Sequence, residues 1–377
     1  MSGQARLTVS GTRDLRLDFV RGMALYMILV DHVANDPISK FTYRVIGYSD
    51  AAEIFVFVSG LACGIVYFRL LANAGWLSLF STIAKRAARI YFYYILTGLA
   101  VMLLLALARS QIDTTALERA REFVYPSGFL AALGYLFPVT GILLLYLPLT
   151  LVVMPLFFWG ARRNAPATLG VSAAIYVISQ LFPQLGSTFN LWIGLNPLAW
   201  QFLFALGLFF GMGYSDPTLK PFGERFRWLV FVAWVIVVGS FILRFSVFIA
   251  PRFGHDFDWA RIPLATVLQM KAILSPIRLI HFLSVAVLFA AYVQPMNAIV
   301  RSYFAKPFIA AGRHSLEMFS VSVVISIAAG IFVAAKTPSL PAHLLLDAAM
   351  IATMTLVAFM ITRSDRMRSA FAALYRH

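Results

Sequence analysis

The feature that most constrains this chain is its series of uninterrupted apolar segments, each roughly 17–25 residues long, the length that spans a bilayer as a helix. Inside a bilayer every backbone polar group must be satisfied within the segment, so such segments form helices. Outer-membrane barrels would instead show alternating strands of about ten residues, and the sequence has none. These segments predict an all-α, polytopic transmembrane helix bundle with about ten spans. The predicted spans are residues 17–33, 50–71, 90–108, 140–160, 167–182, 198–214, 228–249, 276–293, 308–334 and 344–361.

The composition supports a membrane protein rather than a soluble one. Hydrophobic residues make up 61% of the chain and charged residues only 12%, whereas soluble domains are about 45–50% apolar and 25% charged. The net charge of +15 does not indicate a nucleic-acid partner, because the basic residues lie in short clusters between the apolar segments. The single cysteine, Cys63, excludes an intramolecular disulfide.

The distribution of Lys and Arg predicts the orientation in the membrane. With the N-terminus inside, the cytoplasmic segments hold eighteen of these residues and the external segments nine. This bias predicts that both ends lie in the cytoplasm. The first apolar segment carries Asp18 and Arg21 and lacks a small-residue cleavage site, so it is expected to be retained rather than removed as a signal peptide. No repeat is seen. The prediction is one domain over residues 1–377, with cytoplasmic tails at 1–16 and 363–377.

Ionisable residues within spans are costly, so each is a functional candidate. Arg21 and His32 are eleven residues apart, which is three helical turns plus about 20° and places both on one face, about 16 Å apart. Asp18 joins that face three residues before Arg21. The first helix is therefore expected to present an ion pair near the cytoplasm and a histidine near the outer surface.

Two polar clusters are expected, one at each membrane face. The outer cluster collects residues from the outer ends of four helices: His32, Asp50, Glu53, Gln201, Arg278 and His281. Asn196 and Trp200, at the start of the helix that carries Gln201, are further candidates for substrate binding. The cytoplasmic cluster collects residues from the inner ends of two helices: Asp18, Arg21, Arg313, His314, Ser315 and Glu317. Aromatic residues near Trp192 and between His255 and Trp259 offer faces for sugar stacking, although such aromatics are also common membrane-interface anchors.

Simpler structural roles remain open for several of these residues. Asp18 and Arg21 can form an ordinary ion pair at a helix start, and His32 can cap the end of its helix. Asp50 and Glu53 have the spacing of a capping box, which does not exclude a function. Small residues around Cys63, and a GxxxG pair at Gly207 and Gly211, favour helix packing.

A histidine with nearby carboxylates suits proton abstraction from a hydroxyl group. The sequence has no HExxH metal motif, no serine–histidine elbow motif and no glycine-rich phosphate loop, so no metal site is expected. Arg21, one leaflet deeper than His32, is placed to hold an anionic donor. The arrangement predicts a donor on one side of the membrane and an acceptor on the other.

The spacing of Arg21 and His32 is the R-x10-H pattern of the acyltransferase-3 superfamily. More narrowly, the chain resembles the OpgC family over nearly its whole length. The segments that carry the resemblance are Arg13 to His32, Ser49 to Gly60, Asn196 to Gly207, Leu274 to Ala286 and Gly312 to Val324.

The resemblance implies a ten-helix acyltransferase of the bacterial inner membrane. The family is associated with succinyl transfer from cytoplasmic acyl-CoA, as co-substrate and without a tightly bound cofactor, to osmoregulated periplasmic glucans. His32 would be the catalytic histidine and Arg21 the motif arginine, and Asp50 and Glu53 match the family's acidic pair. The other expected partner is membrane lipid.

The expected mechanism depends on these assignments. His32, oriented by Asp50 or Glu53, would deprotonate a sugar hydroxyl, and Arg278 or Gln201 would stabilise the oxyanion. Two rival interpretations stay open. Intramembrane charges are equally natural in an ion-coupled transporter, although the inverted repeats of transporters are not seen. The other rival is a non-catalytic membrane partner in envelope assembly.

Overall fold

The structure, a computed structural model, describes residues 14–33, 36–108, 141–186, 195–214, 227–249, 270–292 and 298–374. Within these residues the regular structure is entirely helical, as predicted. The aromatic residues proposed for sugar stacking, Trp192 and His255 to Trp259, lie outside the described residues.

Besides a helical turn at 298–301, the described part of the chain forms eleven helices. They are α1 (Leu15–Asp31), α2 (Tyr43–Ile46), α3 (Ala51–Ala108), α4 (Gly141–Pro148), α5 (Met154–Leu181), α6 (Pro197–Tyr214), α7 (Arg227–Ile249), α8 (Pro276–Ala291), α9 (Ala305–Arg313), α10 (Ser315–Lys336) and α11 (Leu340–Leu374). A π-helical turn at Leu149–Val153 joins α4 to α5, and a short 3₁₀ helix covers Ile38–Phe41.

Five helical stretches in the described residues are long and apolar enough to cross a membrane, fewer than the ten spans predicted. They are Ala51–Ala108, Gly141–Leu181, Arg227–Arg244, Ser315–Lys336 and Leu340–Asp365. Two shorter apolar helices, Pro197–Gly213 and Pro276–Ala291, and the charged 17-residue α1 account for part of the difference. The chain is thus a helical membrane protein.

Kinks account for the rest of the difference. α3 bends at Gly75, whose φ of 72° is readily adopted only by glycine, and α5 bends at Asn164. Asn164 caps the second limb of α5, because its Oδ1 accepts from the Ala167 N–H at 3.0 Å. Each kink falls between two predicted spans, 50–71 and 90–108 or 140–160 and 167–182, so each pair appears as one continuous helical stretch.

α3 and α6 cross at glycines, as the GxxxG pattern predicted. A Cβ atom at Gly207 would clash with the Phe57 carbonyl oxygen, and one at Gly211 with the Leu61 carbonyl oxygen. Gly60 on α3 likewise meets the Phe204 carbonyl oxygen. Only hydrogen atoms fit between these backbones, so the crossing fixes α3 against α6 at close range.

α1 is packed by four other helices, α3, α9, α10 and α11. The Gly22 backbone lies against the Phe308 carbonyl of α9. Ser326 Oγ of α10 donates to the Leu29 carbonyl at 2.7 Å. The Tyr26 hydroxyl shares a hydrogen bond of 2.6 Å with Thr355 of α11. These contacts fix the positions of the residues that α1 carries, Arg21 among them and His32 directly after its end.

Candidate functional site

The start of α3 is closed by the capping box that its sequence allowed. Asp50 Oδ1 accepts from the Ala52 N–H at 2.8 Å, and Glu53 Oε2 accepts from the Asp50 N–H at 2.9 Å. Each carboxylate thereby satisfies a backbone donor that the helix leaves free. The capping role explains the local spacing of the two acids and leaves their other oxygens for longer-range contacts.

Arg278 of α8 binds both of these carboxylates. Its Nε donates to Glu53 Oε1 at 2.7 Å and its Nη2 to Asp50 Oδ2 at 3.0 Å, while Lys271 Nζ lies 2.9 Å from the same Asp50 oxygen. Burial alone would raise the pKa of Asp50, but Lys271 and Arg278 outweigh it and hold that pKa below its ordinary value. We call Asp50, Glu53, Arg278 and Lys271 the acidic network. The structure therefore brings together three residues of the predicted outer cluster, Asp50, Glu53 and Arg278, and Arg278 binds the other two.

Asn196 and Trp200 hold the loop that carries Lys271. Trp200, which is fully buried, donates its Nε1–H toward the Lys271 and Ala272 carbonyls, each at 3.2 Å. The Asn196 N–H donates to the Ala272 carbonyl at 2.7 Å. Two further side chains bind this loop: Tyr176 to the Leu274 carbonyl at 2.9 Å and Gln180 to the Ile273 carbonyl at 2.8 Å. These contacts are with the protein, so the two predicted substrate-binding residues position Lys271.

Gln201, predicted as an oxyanion donor, joins α6 to α5 instead. Its Oε1 accepts from Ser172 Oγ at 2.6 Å, and its Nε2 donates to the Ser172 carbonyl at 2.9 Å and the Leu198 carbonyl at 3.2 Å. Both hydrogens of the amide are therefore used within the protein. Gln201 therefore offers no free donor for an oxyanion, and Arg278 uses its Nε and Nη2 on the two carboxylates.

His281 belongs to a buried chain of hydroxyl groups. Its Nδ1 lies 2.6 Å from Ser49 Oγ, which in turn lies 2.6 Å from the Tyr43 hydroxyl. The His281 Nε2 is buried without a hydrogen-bond partner and faces the backbone of Gly47. No local pattern indicated the Ser49–His281 pair, because 232 residues separate its members.

His32 is oriented by a backbone carbonyl and not by the carboxylates that were expected to orient it. Its Nδ1 lies 2.7 Å from the Ile28 carbonyl oxygen, whereas Asp50 and Glu53 are held in the acidic network. A carbonyl only accepts, so Nδ1 carries the hydrogen and the neutral ring keeps its lone pair on Nε2. This correction leaves His32 with a basic nitrogen that no described protein group occupies.

His32 is reachable from outside the protein, because its side chain is exposed. Lys271, Asp50 and Arg44 are the nearby charges that act on it.

The cytoplasmic cluster assembles only in part. Asp18 is buried, and its Oδ2 lies 3.8 Å from Arg313 Nε. The charge of Asp18 also acts on Arg21. His314 turns to α11, where its Nδ1 lies 3.6 Å from Asp365 Oδ2. The structure therefore places Asp18, Arg21 and Arg313 near one another and His314 in a separate contact.

Arg21 lies near other polar groups that, like it, each have one buried atom without a hydrogen-bond partner. Its Nη2 donates to the Val58 carbonyl of α3 at 3.2 Å, and its Nε is buried without a partner. The charge of Arg86, from the second limb of α3, acts on it, and Arg86 Nε is also buried without a partner. The Tyr146 hydroxyl lies near Ser59 but makes no hydrogen bond of normal geometry. We call Arg21, Arg86 and Tyr146 the arginine centre.

The arginine centre has the chemistry to accept an anion. Two partly buried guanidinium groups repel each other, and each buried donor without a partner costs free energy unless a ligand accepts from it. Charge-assisted hydrogen bonds to a phosphate or carboxylate would both pair these donors and offset the repulsion between the two arginines. Sequence reasoning missed Arg86 because it counted this residue only as a cytoplasmic charge, and it had no signal for Tyr146. No group of three His, Cys, Asp or Glu residues within the described ranges is spaced to hold a metal ion.

Comparisons with known proteins add one finding. A family model described as OpgC protein matches residues 13–366, which is nearly the whole chain. No curated protein and no solved structure matches the chain. The match covers the segment from Arg21 to His32, the acidic network and the arginine centre. As the resemblance of its first segments predicted, the chain belongs to the OpgC family.

Proposed function

We propose that this protein is a membrane acyltransferase of the bacterial inner membrane. It transfers an acyl group, succinyl in the first instance, from cytoplasmic acyl-CoA to hydroxyl groups of a periplasmic glucan. Ten spans with both ends in the cytoplasm complete the proposal. Membership of the OpgC family, five candidate spans and the excess of basic residues in the cytoplasmic segments support it.

The observation that carries the proposal is that Arg21 and His32, both on or directly after α1, each interact with α3 or its cap. Arg21 binds the Val58 carbonyl of α3, and the charge of Asp50, which caps the start of α3, acts on His32. Eleven residues of helix separate the two by about 16 Å. One elongated molecule lying along α1 would contact both.

The separation of these residues indicates which part of the donor binds at the arginine centre. A four-carbon acyl group is much shorter than about 16 Å, so binding its carboxylate at Arg21 would leave the thioester far from His32. The phosphates of CoA are joined to the thioester by the long pantetheine arm. Phosphate at Arg21 and Arg86 therefore brings the thioester toward His32, with Arg313 as a further cation beside Asp18.

The reaction then needs one base and one cation near His32, at the end of α1 away from the arginine centre. His32 Nε2 takes the proton of the sugar hydroxyl, whose oxygen attacks the thioester carbonyl. The tetrahedral intermediate collapses with loss of the CoA thiolate, which takes the proton back from the His32 imidazolium as it leaves. Lys271, partly exposed and among the charges that act on His32, supplies the cation for the oxyanion, because its ammonium group has three hydrogens and its contact with Asp50 uses one of them.

The direct test uses the purified full chain in proteoliposomes with succinyl-CoA carrying a labelled acyl group and a linear glucan. The proposal expects labelled glucan ester and an equal amount of free CoA, and neither product with His32→Ala. Uptake of a solute without consumption of acyl-CoA would favour the transporter instead. Glucan acylation by His32→Ala at the wild-type rate would refute the assignment of the base.

A further inference from the structure

His281 of α8 is fully buried and has no part in the proposed reaction. Its side chain is 1% exposed, and Ser49, which it contacts, is equally buried. The ring also packs on two tyrosines that precede α3, with centroid distances of 5.9 Å to Tyr43 and 6.5 Å to Tyr48. Burying an imidazole is costly unless its contacts are needed, so the contacts of His281 indicate what the residue does.

The contact with Ser49 defines the tautomer of the His281 ring. The Ser49 N–H donates to His281 Nδ1 at 3.4 Å, so Nδ1 carries the lone pair and the hydrogen of the neutral ring lies on Nε2. The Ser49 hydroxyl, 2.6 Å from Nδ1, then donates to the same nitrogen, and the Tyr43 hydroxyl donates to Ser49 Oγ at 2.6 Å. This tautomer is the opposite of that of His32, whose Nδ1 carries the hydrogen.

A serine hydroxyl that donates to a histidine is also the arrangement of an activated nucleophile. Ser49, however, is only 1% exposed, and its oxygen already accepts from the Tyr43 hydroxyl. The hydroxyl is therefore closed to an incoming thioester. The contact with His281 serves instead to hold the chain at this point.

α8 holds the start of α3 at two points. Arg278, three residues before His281 and on the same side of α8, binds the side chains of Asp50 and Glu53. His281 binds the backbone N–H and the hydroxyl of Ser49, the residue directly before Asp50. Arg278 thus restrains the carboxylate of Asp50, while His281 restrains the backbone from which that carboxylate extends.

We propose that His281 is a positioning residue for Lys271. Asp50 Oδ2 lies 2.9 Å from Lys271 Nζ, so a shift of Ser49 and Asp50 moves the ammonium group that we assign to the oxyanion. The consequence for catalysis rests on the proposed function. The effect on the position of Lys271 does not.

Gly47 gives independent access to the same contact. A Cβ atom at Gly47 would lie 2.0 Å from His281 Nε2, and the ring is packed against the tyrosines and cannot move aside easily. Gly47→Ala should therefore push the ring away from Ser49. His281→Asn keeps an acceptor oxygen near the place of Nδ1 and removes the atoms at the place of Nε2. Gly47→Ala should thus be harmful beside His281 and tolerated together with His281→Asn.

Chemical labelling of Lys271 in the purified full chain in lipid tests the position of its ammonium group without any acyl transfer. An amine-reactive reagent modifies each lysine according to its accessibility, and mass spectrometry measures the modified fraction. His281→Leu and Gly47→Ala should each raise the labelling of Lys271 severalfold. The double variant of Gly47→Ala with His281→Asn should return it toward the wild-type level.

Two controls accompany the labelling. Lys306, which is exposed, should be labelled equally in every variant. Ser284→Ala removes another buried polar side chain of α8, whose hydroxyl donates to the Ile280 carbonyl at 2.8 Å, and should leave the labelling of Lys271 unchanged. Gly47→Ala also covers the case in which His281→Leu fails to fold.

Glucan acylation by the same variants gives the second readout. His281→Leu should lower kcat by roughly 10–100-fold, because a displacement of about 1 Å at a reacting group has effects of this size, with little change in affinity for a non-reactive acyl-CoA analogue. His281→Asn should recover most of that loss, and Ser284→Ala should keep the wild-type kcat.

Wild-type labelling of Lys271 in both His281→Leu and Gly47→Ala would overturn the proposal. So would a failure of His281→Asn to rescue Gly47→Ala, or an acyl ester trapped on Ser49. Absence of acyl transfer by the wild type would contradict the proposed function instead, and the labelling would still decide the role of His281.

Discussion

The acidic network at the start of α3 and the arginine centre deeper in the protein both gather charges from distant parts of the chain, yet they are built in opposite ways. In the acidic network each cation has a carboxylate, and Arg278 alone binds both Glu53 and Asp50. In the arginine centre, the charge of Arg86 acts on Arg21, and the buried Nε atom of each arginine has no hydrogen-bond partner.

This difference distinguishes a charge network that stabilises the fold from a site that binds a ligand. A network whose donors and acceptors match is complete without a ligand and serves to fix helices and loops. A group of buried donors without acceptors is incomplete until an anion arrives. His32 is incomplete in its own way, because its Nδ1 is held by Ile28 while its Nε2 remains available. We therefore propose that the chemistry lies at His32 with Lys271 and donor binding at the arginine centre, with Asp50, Glu53 and Arg278 as their support.

The largest expected effect is on the base. His32→Ala should reduce glucan acylation by about 10²–10⁴-fold, the usual contribution of a general base, while the protein still accumulates in the membrane. The measurement is the rate of labelled acyl transfer per amount of purified protein. If the variant retained more than a tenth of the wild-type rate, His32 would not be the base. The division between a reacting residue and a separate binding centre would then fail.

The next effect is on stability. Arg278→Met leaves Glu53 and Asp50 buried without their main cation, so it should lower the free energy of unfolding by about 3–5 kcal/mol. Thermal unfolding in detergent measures this change. The triple variant Arg278→Met, Glu53→Leu, Asp50→Asn removes the stranded charges and should regain part of the loss. A large fall in turnover of correctly folded Arg278→Met, with no loss of stability, would show that Arg278 takes part in the reaction and does not only stabilise the fold.

The arginine centre should control affinity for the donor. Charge-assisted hydrogen bonds contribute about 1.5–3 kcal/mol, so Arg86→Gln should raise the KM for acyl-CoA by roughly 10–150-fold with a smaller change in kcat. Arg163→Gln is the matched control, because that arginine is exposed and stacks on Trp159 at 4.2 Å. Steady-state kinetics with varied acyl-CoA decide the question. Equal KM values for Arg86→Gln and the control would show that the arginine centre does not bind the phosphates of the donor.

Much of this fold could be predicted from the sequence, because the length of an apolar segment depends on local composition alone. Described helices overlap all ten predicted spans. The kinks at Gly75 and Asn164 were not predicted, since a single residue with unusual φ and ψ angles leaves no trace in hydropathy. The helices therefore lie where the apolar segments were predicted. The number of long stretches is smaller mainly because kinked neighbouring segments join into one continuous helix.

The candidate site was predictable only where two helix ends had to meet. Glu53 and Arg278 were expected together because both helices start at the same face, and the structure joins them. Arg86 was not expected beside Arg21, because that contact depends on how the second limb of α3 packs. The Ile28 carbonyl at His32 was also missed, since every residue has a carbonyl and none is distinctive in a sequence.

A smaller effect tests the corrected role of Gln201. Gln201→Leu removes its three hydrogen bonds with Ser172 and Leu198, so the free energy of unfolding should fall by about 1–3 kcal/mol while kcat per folded molecule is kept. Ser172→Ala should produce a similar but smaller loss. A fall in kcat of a hundredfold or more in Gln201→Leu would restore the oxyanion role that the sequence suggested.

The smallest effect is the pH profile. A general base must be neutral to accept a proton, and the Ile28 carbonyl holds the neutral His32 tautomer whose lone pair lies on Nε2. The value of kcat/KM should therefore fall as pH drops far enough to protonate His32, and it should be level above that point. A profile that falls with a pKa well above the ordinary histidine value of about 6.5 would show that His32 is stabilised in its charged form.

Equilibrium binding of a non-reactive acyl-CoA analogue to the purified full chain tests the division between binding and chemistry most directly. We predict that His32→Ala binds the analogue as tightly as the wild type while failing to acylate glucan, and that Arg86→Gln binds it at least tenfold more weakly. Loss of binding in His32→Ala, or wild-type affinity in Arg86→Gln, would contradict this division.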